Sequence, residues 1–256
     1  MSVDWQDKVA IVTGSSSGIG RAVALSLGGQ GCRVVINYHK SAQEAERTAD
    51  EVRALGVEVM VVQADVASDA DCRNLVELAC RKWERLDLLV NNAGTTTFVP
   101  LGDLESLSEE SWDRIMAVNV KGAFFMARAA APSLRAARGA IVNVSSTAGI
   151  NSVGSSIAYS ASKAALSNLT LSLARALAPE VRVNAVAPGF VETPWLERGL
   201  GERLGSMRKW VRAQTPLGQI VQPEQVAQAV LALLALEQVT GQILVVDGGF
   251  LQRGQP

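Results

Sequence analysis

The sequence predicts an α/β fold: one doubly wound parallel sheet of seven strands with helices on both faces. Two observations carry that prediction. Short β-branched runs alternate with longer segments of helical period along the whole chain, as they must where crossover helices cover both faces of a parallel sheet. No Pro/Gly/Ser-rich linker, low-complexity tract or internal repeat breaks the alternation, so residues 1–256 read as a single domain.

The first strand, over residues 9–13, runs into a glycine- and serine-rich turn and a helix over 18–30. Strands at 33–37 and 57–63 enclose a helix over 41–55, and a helix over 69–83 precedes a strand at 86–91. A long helix over 111–136 leads to a strand at 140–145, and a second over 158–178 leads to one at 182–187. A helix over 223–236 precedes the last strand at 242–246. Residues 188–222 show no strand pattern. There Leu196, Leu200, Leu204, Met207 and Val211 recur at spacings of three and four, which predicts one short amphipathic helix in an otherwise irregular insertion. Loops of that length in compact domains are functional lids or disordered segments, and a lid is the expectation here.

Composition narrows the function. With 48% apolar and 19% charged residues, the 256-residue chain has the balance of a water-soluble globular protein and can bury a large core. Lys+Arg 24 against Asp+Glu 25 leaves a net charge of -1, no footprint for nucleic acid. His39 is the only histidine, so two- and three-histidine metal centres cannot be built in one chain, and no metal is expected. Cys32, Cys72 and Cys80 form no C-x-x-C pair, which argues against a redox motif or disulfide scaffold. The first ten residues lack an apolar h-region, and the longest apolar run, 229–236, is far short of the ~20 residues of a membrane span. A cytoplasmic protein with no membrane partner is the expectation.

The first strand leads into Thr13-Gly14-Ser15-Ser16-Ser17-Gly18-Ile19-Gly20 and then a helix. Glycines there allow a tight bend and close backbone approach to a pyrophosphate, while the helix N-terminus favours the anion. The spacing is G-x-x-x-G-x-G rather than G-x-G-x-x-G. The second strand is expected to end at Asn37, where an NAD enzyme places an acid against the ribose 2′-hydroxyl. That acid is missing, and Tyr38, His39, Lys40 and Ser41 follow, offering a cation and a hydroxyl to a 2′-phosphate. NADP(H) is therefore favoured over NAD(H), the bland alternative being a solvated loop lysine. Asp65-Val66, after the third strand, either flanks an adenine or serves as a helix-capping turn.

Tyr159 and Lys163 lie four apart on a predicted helix and so share a face, and Ser146 closes the fifth strand at the end where open α/β sheets bind ligands. A phenol of reference pKa ~10 becomes a useful acid-base only when a cation favours its phenolate, which Lys163 and a bound nicotinamide together supply. The Ser146 hydroxyl can hold a carbonyl or alcohol oxygen beside the phenol.

Over essentially its whole length the chain resembles the short-chain dehydrogenase/reductase family, whose members share the Rossmann fold. The resemblance rests on residues 13–20, Asp65, Asn91-Asn92-Ala93-Gly94, Asn119, Ser146, Tyr159 to Lys163, Pro188-Gly189 and Asp247-Gly248-Gly249. It implies that Tyr159 is the general acid-base, Ser146 orients the substrate oxygen, Lys163 holds the ribose hydroxyls and lowers the tyrosine pKa, and Asn119 organises a proton-relay water. It also implies a cofactor cleft walled by Asn92, Ala93 and Gly94, by Pro188, Gly189 and Val191, and by Thr193, which bonds the carboxamide. Closer resemblances are to 3-oxoacyl-carrier-protein reductases and to sugar and secondary-alcohol dehydrogenases of the same branch. Ser17 departs from the arginine those reductases often place in the glycine turn.

The expected activity is hydride transfer between NAD(P)(H) and a ketone or secondary alcohol of small-molecule size. The lid at about 188–222 would close over the substrate. A non-enzymatic NAD(P)-binding sensor and a sugar-nucleotide epimerase are the alternatives from other classes; the sensor would need no intact Ser146, Tyr159 and Lys163. The resemblance also implies a homotetramer or dimer built on the two long helices, which are rich in apolar residues such as Phe124, Phe125, Met126, Leu166, Leu169 and Leu173. Arg135, Arg138 and Arg175 offer either a cationic face to an acyl carrier protein or simply a solvated face.

Overall fold

The computed structural model describes residues 4–252. Its strands are β1 (Val9–Val12), β2 (Arg33–Tyr38), β3 (Val59–Gln63), β4 (Leu88–Asn91), β5 (Ala140–Val144), β6 (Arg182–Pro188) and β7 (Ile243–Val246). They form one sheet in the order β3-β2-β1-β4-β5-β6-β7, and every neighbouring pair is parallel. The order reverses between β1 and β4, which opens a crevice beyond the carboxyl ends of those strands.

Alternation along each strand builds two cores. Ala10, Val12, Val34, Ile36, Val90 and Val142 face α1 (Gly18–Gly29), α2 (Ala42–Arg53) and α10 (Pro223–Ala235). Val9, Ile11, Val35, Leu89 and Ile141 face the other way, toward α3 (Asp69–Trp83), α5 (Ala123–Ala137) and α7 (Ile157–Leu177). Removing each Val, Leu or Ile side chain among them from water contributes about 1.5–3 kcal/mol, so the central strands anchor whatever their carboxyl ends carry.

Several element bounds differ from their sequence expectations, and four of the differences have an identifiable cause. β2 runs one residue further, to Tyr38, because Tyr38 still pairs with Gln63; the strand-end position therefore belongs to Tyr38, and Asn37 lies inside the sheet. β3 starts at Val59 rather than 57, after Gly56 turns the chain at φ 86 and Glu58 reaches sideways to the indole N–H of Trp83. The long helix expected over 111–136 is interrupted: α4 (Glu109–Met116) passes through a π-helical turn at Ala117–Gly122 before α5. The interruption centres on Asn119, whose amide accepts from the Thr95 N–H at 2.8 Å and donates to the Thr95 carbonyl at 3.0 Å and the Ser162 hydroxyl at 2.9 Å. Those three bonds pull the helix backbone out of its regular ladder.

The fourth difference is the insertion. Its apolar period belongs to two helices, α8 (Pro194–Leu200) and α9 (Leu204–Gln214), with a 3₁₀ turn between them. Gly201, at φ 50, permits the break. A bridge between Val191 and Val221 closes the base of the excursion, and Arg208 on α9 pairs with Glu192 at that base. A short helix, α6 (Ala148–Asn151), follows β5. Among the described residues no helix is long and apolar enough to cross a membrane.

Candidate active site

At the crevice, side chains from β2 and from the residue just after β4 fix the first turn. The Gly14 N–H donates to Asn37 Oδ1 at 3.1 Å, and the Asn92 amide donates to the Thr13 and Gly14 carbonyls at 2.8 and 3.0 Å. Gly14 sits at φ +61 with the Ala93 backbone so close that an added Cβ would lie 2.9 Å from Ala93 Cα. A Cβ on Gly20 would lie 2.4 Å from Asn92 Nδ2, so this glycine serves helix-to-strand packing. The Ser17 hydroxyl caps nothing, leaving the α1 N-terminus open to an anion.

From that turn a cavity of about 670 Å³ runs along the strand ends. Gly14, Ser16, Ser17, Gly18 and Ile19 line one end together with Asn37, His39, Ser41, Asp65 and Val66. Asn92, Ala93, Gly94, Ser146, Tyr159, Lys163, Pro188, Gly189, Val191 and Thr193 continue it. The shape and donors fit a dinucleotide: a glycine cradle at a helix N-terminus, then a groove leading to a phenol. Four residues singled out in the sequence do not line it. Gly20 packs behind the turn, Tyr38 packs against the core, Lys40 points into solvent, and buried Asn119 stands behind Gly94.

Asn37 departs from its expected role. Its amide donates to the Val62 and Ala64 carbonyls at 3.3 and 3.2 Å while its oxygen holds the glycine turn, so it pins β1, β2 and β3 together. Asp65 is likewise engaged: Arg114 grips it through two bonds of 2.8 and 3.2 Å, and His39 Nε2 is 3.6 Å away. Burial pushes the Asp65 carboxyl up, but Arg114, the Ala67 N–H and His39 outweigh it and hold the group below the usual carboxylate range. Neither Arg114 nor Phe250, which also lines the cavity, carried any local sequence signal.

Ser146 follows β5 by two residues. Its oxygen accepts the Ala148 N–H at 3.1 Å and bonds the Tyr159 phenol. Tyr159 stands in the first turn of α7, which Ser156 caps by accepting the Tyr159 N–H. One turn on, Lys163 Nζ donates to the Val144 carbonyl at 2.8 Å and lies 5.6 Å from the Tyr159 ring centre. Burial pushes Tyr159 up to about 12 despite the Ser146 bond, and brings Lys163 down to about 8. The sequence expectation of a phenol lowered by Lys163 is thus not met in the chain alone. The ammonium bonds a backbone carbonyl instead of the phenol oxygen, and desolvation prevails.

Above Tyr159 lies Trp195, with ring centres 5.6 Å apart, and Phe98 meets Trp195 edge-on at 6.2 Å. Thr193, just before α8, stands across the glycine turn from Gly18.

A glycine-cradled cleft leading to a Ser-Tyr-Lys group, its tyrosine and lysine buried, defines a nicotinamide-dependent oxidoreductase of the α/β class. A family model described as enoyl-(acyl carrier protein) reductase matches residues 14–251. The chain belongs to the short-chain dehydrogenase/reductase family, and it is an oxidoreductase acting on CH–OH and C=O groups. It is 46% identical over 242 residues to a Streptomyces violaceoruber protein described as ketoacyl reductase 2 of the granaticin polyketide synthase, covering 94% of this chain and 95% of the relative. An oxidoreductase of Methylorubrum extorquens is 39% identical, with 95% and 98% covered. Among solved structures, a short-chain dehydrogenase/reductase from Burkholderia xenovorans superimposes with TM-score 0.89 at 37% identity, covering 96% and 98% of the two chains. A short-chain alcohol dehydrogenase from Sinorhizobium meliloti 1021 does so with TM-score 0.89 at 28% identity, covering 98% and 100%.

Proposed function

We propose that the chain is an NADP(H)-preferring reductase of a partly apolar ketone, with a 3-oxoacyl thioester as the leading substrate. The observation that carries the reaction is the Ser146-Tyr159-Lys163 group at the inner end of the cavity. A nicotinamide bound along the cleft supplies the hydride. Tyr159 gives its phenolic proton to the carbonyl oxygen as that oxygen gains charge, and Ser146, hydrogen-bonded to the phenol, holds the same oxygen. Lys163 Nζ, tethered to the Val144 carbonyl, is placed to hold ribose hydroxyls and to favour the phenolate left behind. Asn119, bonded to Thr95 and Ser162, steadies the wall behind Gly94.

Three features support NADP(H) over NAD(H). The only lining carboxylate near the glycine turn, among the described residues, is Asp65, which Arg114 already neutralises; His39 lines the same end; and the Ser41 hydroxyl caps nothing at the start of α2. The thioester rests on the ketoacyl reductase relative. The α8–α9 excursion is read as the substrate lid over a single domain, and the whole as a homo-oligomer. Turnover of ketones and 3-oxoacyl thioesters with each cofactor tests the reading: oxidation of NADPH by a 3-oxoacyl thioester is expected, and tighter binding of NADH than of NADPH would overturn the cofactor assignment.

A further inference from the structure

Half of the chain's aromatic side chains, Phe98, Tyr159, Phe190, Trp195, Trp210 and Phe250, line one cavity. Beyond Tyr159, four of the other five stand as two edge-on pairs: Phe98 with Trp195 at 6.2 Å and 66°, and Trp210 with Phe250 at 5.8 Å and 72°. Phe98 is held in place from behind, because Gly199 leaves no room to spare; a Cβ there would lie 2.0 Å from the Phe98 ring. Two of the polar groups nearby are already engaged. Ser155 and Thr96 share a hydroxyl bond of 2.7 Å, and the Asn151 oxygen accepts the Val153 N–H at 3.0 Å. Arg203 lies exposed and adds a cation to the lining rather than a wall.

We infer that the substrate carries its ketone on a flat aromatic or ring-conjugated body, which seats against the wall that the Phe98–Trp195 pair forms beside Tyr159. This rests on the reductase reading and adds the substrate class to it. Rings seat against rings offset or edge-on with an attraction that a flexible alkyl chain of equal carbon number does not gain, and a flat body has fewer rotors to freeze. A polyhydroxylated sugar would find few unspent partners at this wall, and its hydroxyls would be desolvated without compensation.

The test compares acetophenone with 2-octanone, two ketones of equal carbon number, under saturating NADPH. The expected result is a kcat/KM at least about tenfold higher for acetophenone. Trp195→Ala should reduce that ratio by about tenfold, and Trp195→Phe should keep most of it. A merely structural loss would lower both substrates together and leave the ratio unchanged, and that outcome overturns the ring wall. Equal or faster turnover of 2-octanone by the wild type also overturns it, while leaving the reductase reading intact. If neither ketone turns over, the binding of acetophenone to the NADPH complex is read by tryptophan quenching. Binding stronger than that of 2-octanone and weakened by Trp195→Ala supports the ring pocket, and NADPH oxidation by a 3-oxoacyl thioester then decides the reductase reading separately; absence of that difference overturns the pocket.

Discussion

Tyr159 is 8% exposed and Lys163 4%, so neither can change charge without the fold responding. If Tyr159 moves the proton, Tyr159→Phe should lower kcat by about 10² or more, while cofactor affinity measured by titration changes little because the Lys163 contact remains. Near-normal turnover on a substrate whose chemistry is rate-limiting would assign the proton to another group. Lys163 also predicts a pH dependence of stability. Its folded pKa of about 8 lies below the ordinary 10.5, so the unfolded chain holds a proton that the folded chain has shed between those values. Its contribution is therefore present above pH 10.5 and lost as pH falls through 8. Cys32 and Cys72, pushed up to about 12 by burial, act in the opposite sense above pH 9. Urea unfolding of the wild type and Lys163→Met at pH 8 and 9 isolates the lysine: the wild type should gain about 1 kcal/mol more than the variant over that unit. Identical pH dependence in the two would mean Lys163 stays charged. Asn37→Asp, which looks from sequence like a switch toward NADH, should instead destabilise the chain, since a carboxylate would face the Val62 and Ala64 carbonyls. Ser41→Asp keeps the helix start polar and should raise the NADPH Kd about tenfold or more with little effect on NADH.

At the scale of elements, the strands and helices followed from periodicity, because β-branched runs and three-to-four spacing are local properties. Where a long-range bond intervened, the local pattern misled. Nothing near Asn119 in sequence announces that its amide will bond Thr95, 24 positions earlier, and open a π-helical turn. Asn119→Ala should cost about 1–3 kcal/mol in chemical unfolding, since it leaves the Thr95 N–H and carbonyl unpaired, and should lower kcat as the Gly94 wall relaxes. Leu89→Ala, at a fully buried position of the central strand, should cost about 2–5 kcal/mol. A Leu89→Ala cost below 1 kcal/mol would show that the sheet is not packed as described. The insertion was visible as an apolar period but not as two helices, because the divide at Gly201 depends on backbone freedom that a spacing rule does not register.

For the whole molecule, the apolar excess of the long helices divides on folding. Met126, Leu166 and Leu173 are consumed inside the chain, while Phe124, Trp112 and Leu171 remain exposed, as do Leu244 and Val245 on the edge strand β7. Arg135, one of the cations considered for a carrier protein, donates to the Ala176 carbonyl near the end of α7. The exposed apolar positions fit burial against further copies of the chain. Light scattering at micromolar concentration should therefore give a dimer or tetramer, and Phe124→Glu should weaken that association about tenfold or more. A monomeric wild type would refute the assembly.

The alternation that makes a parallel sheet, the glycine turn at its first crossover and the Ser146-Tyr159-Lys163 group are legible in the amino-acid order alone, because periods, turns and i,i+4 spacings are written within a few residues. Folding in three dimensions settled that Asn37, although it lines the cleft, spends its amide on locking strands, that Arg114 neutralises Asp65 from 49 positions away, and that Trp195 covers Tyr159. Each of these depends on how far a strand runs or where a distant helix closes, and such long-range packing is settled by burial and hydrogen bonding across the whole fold.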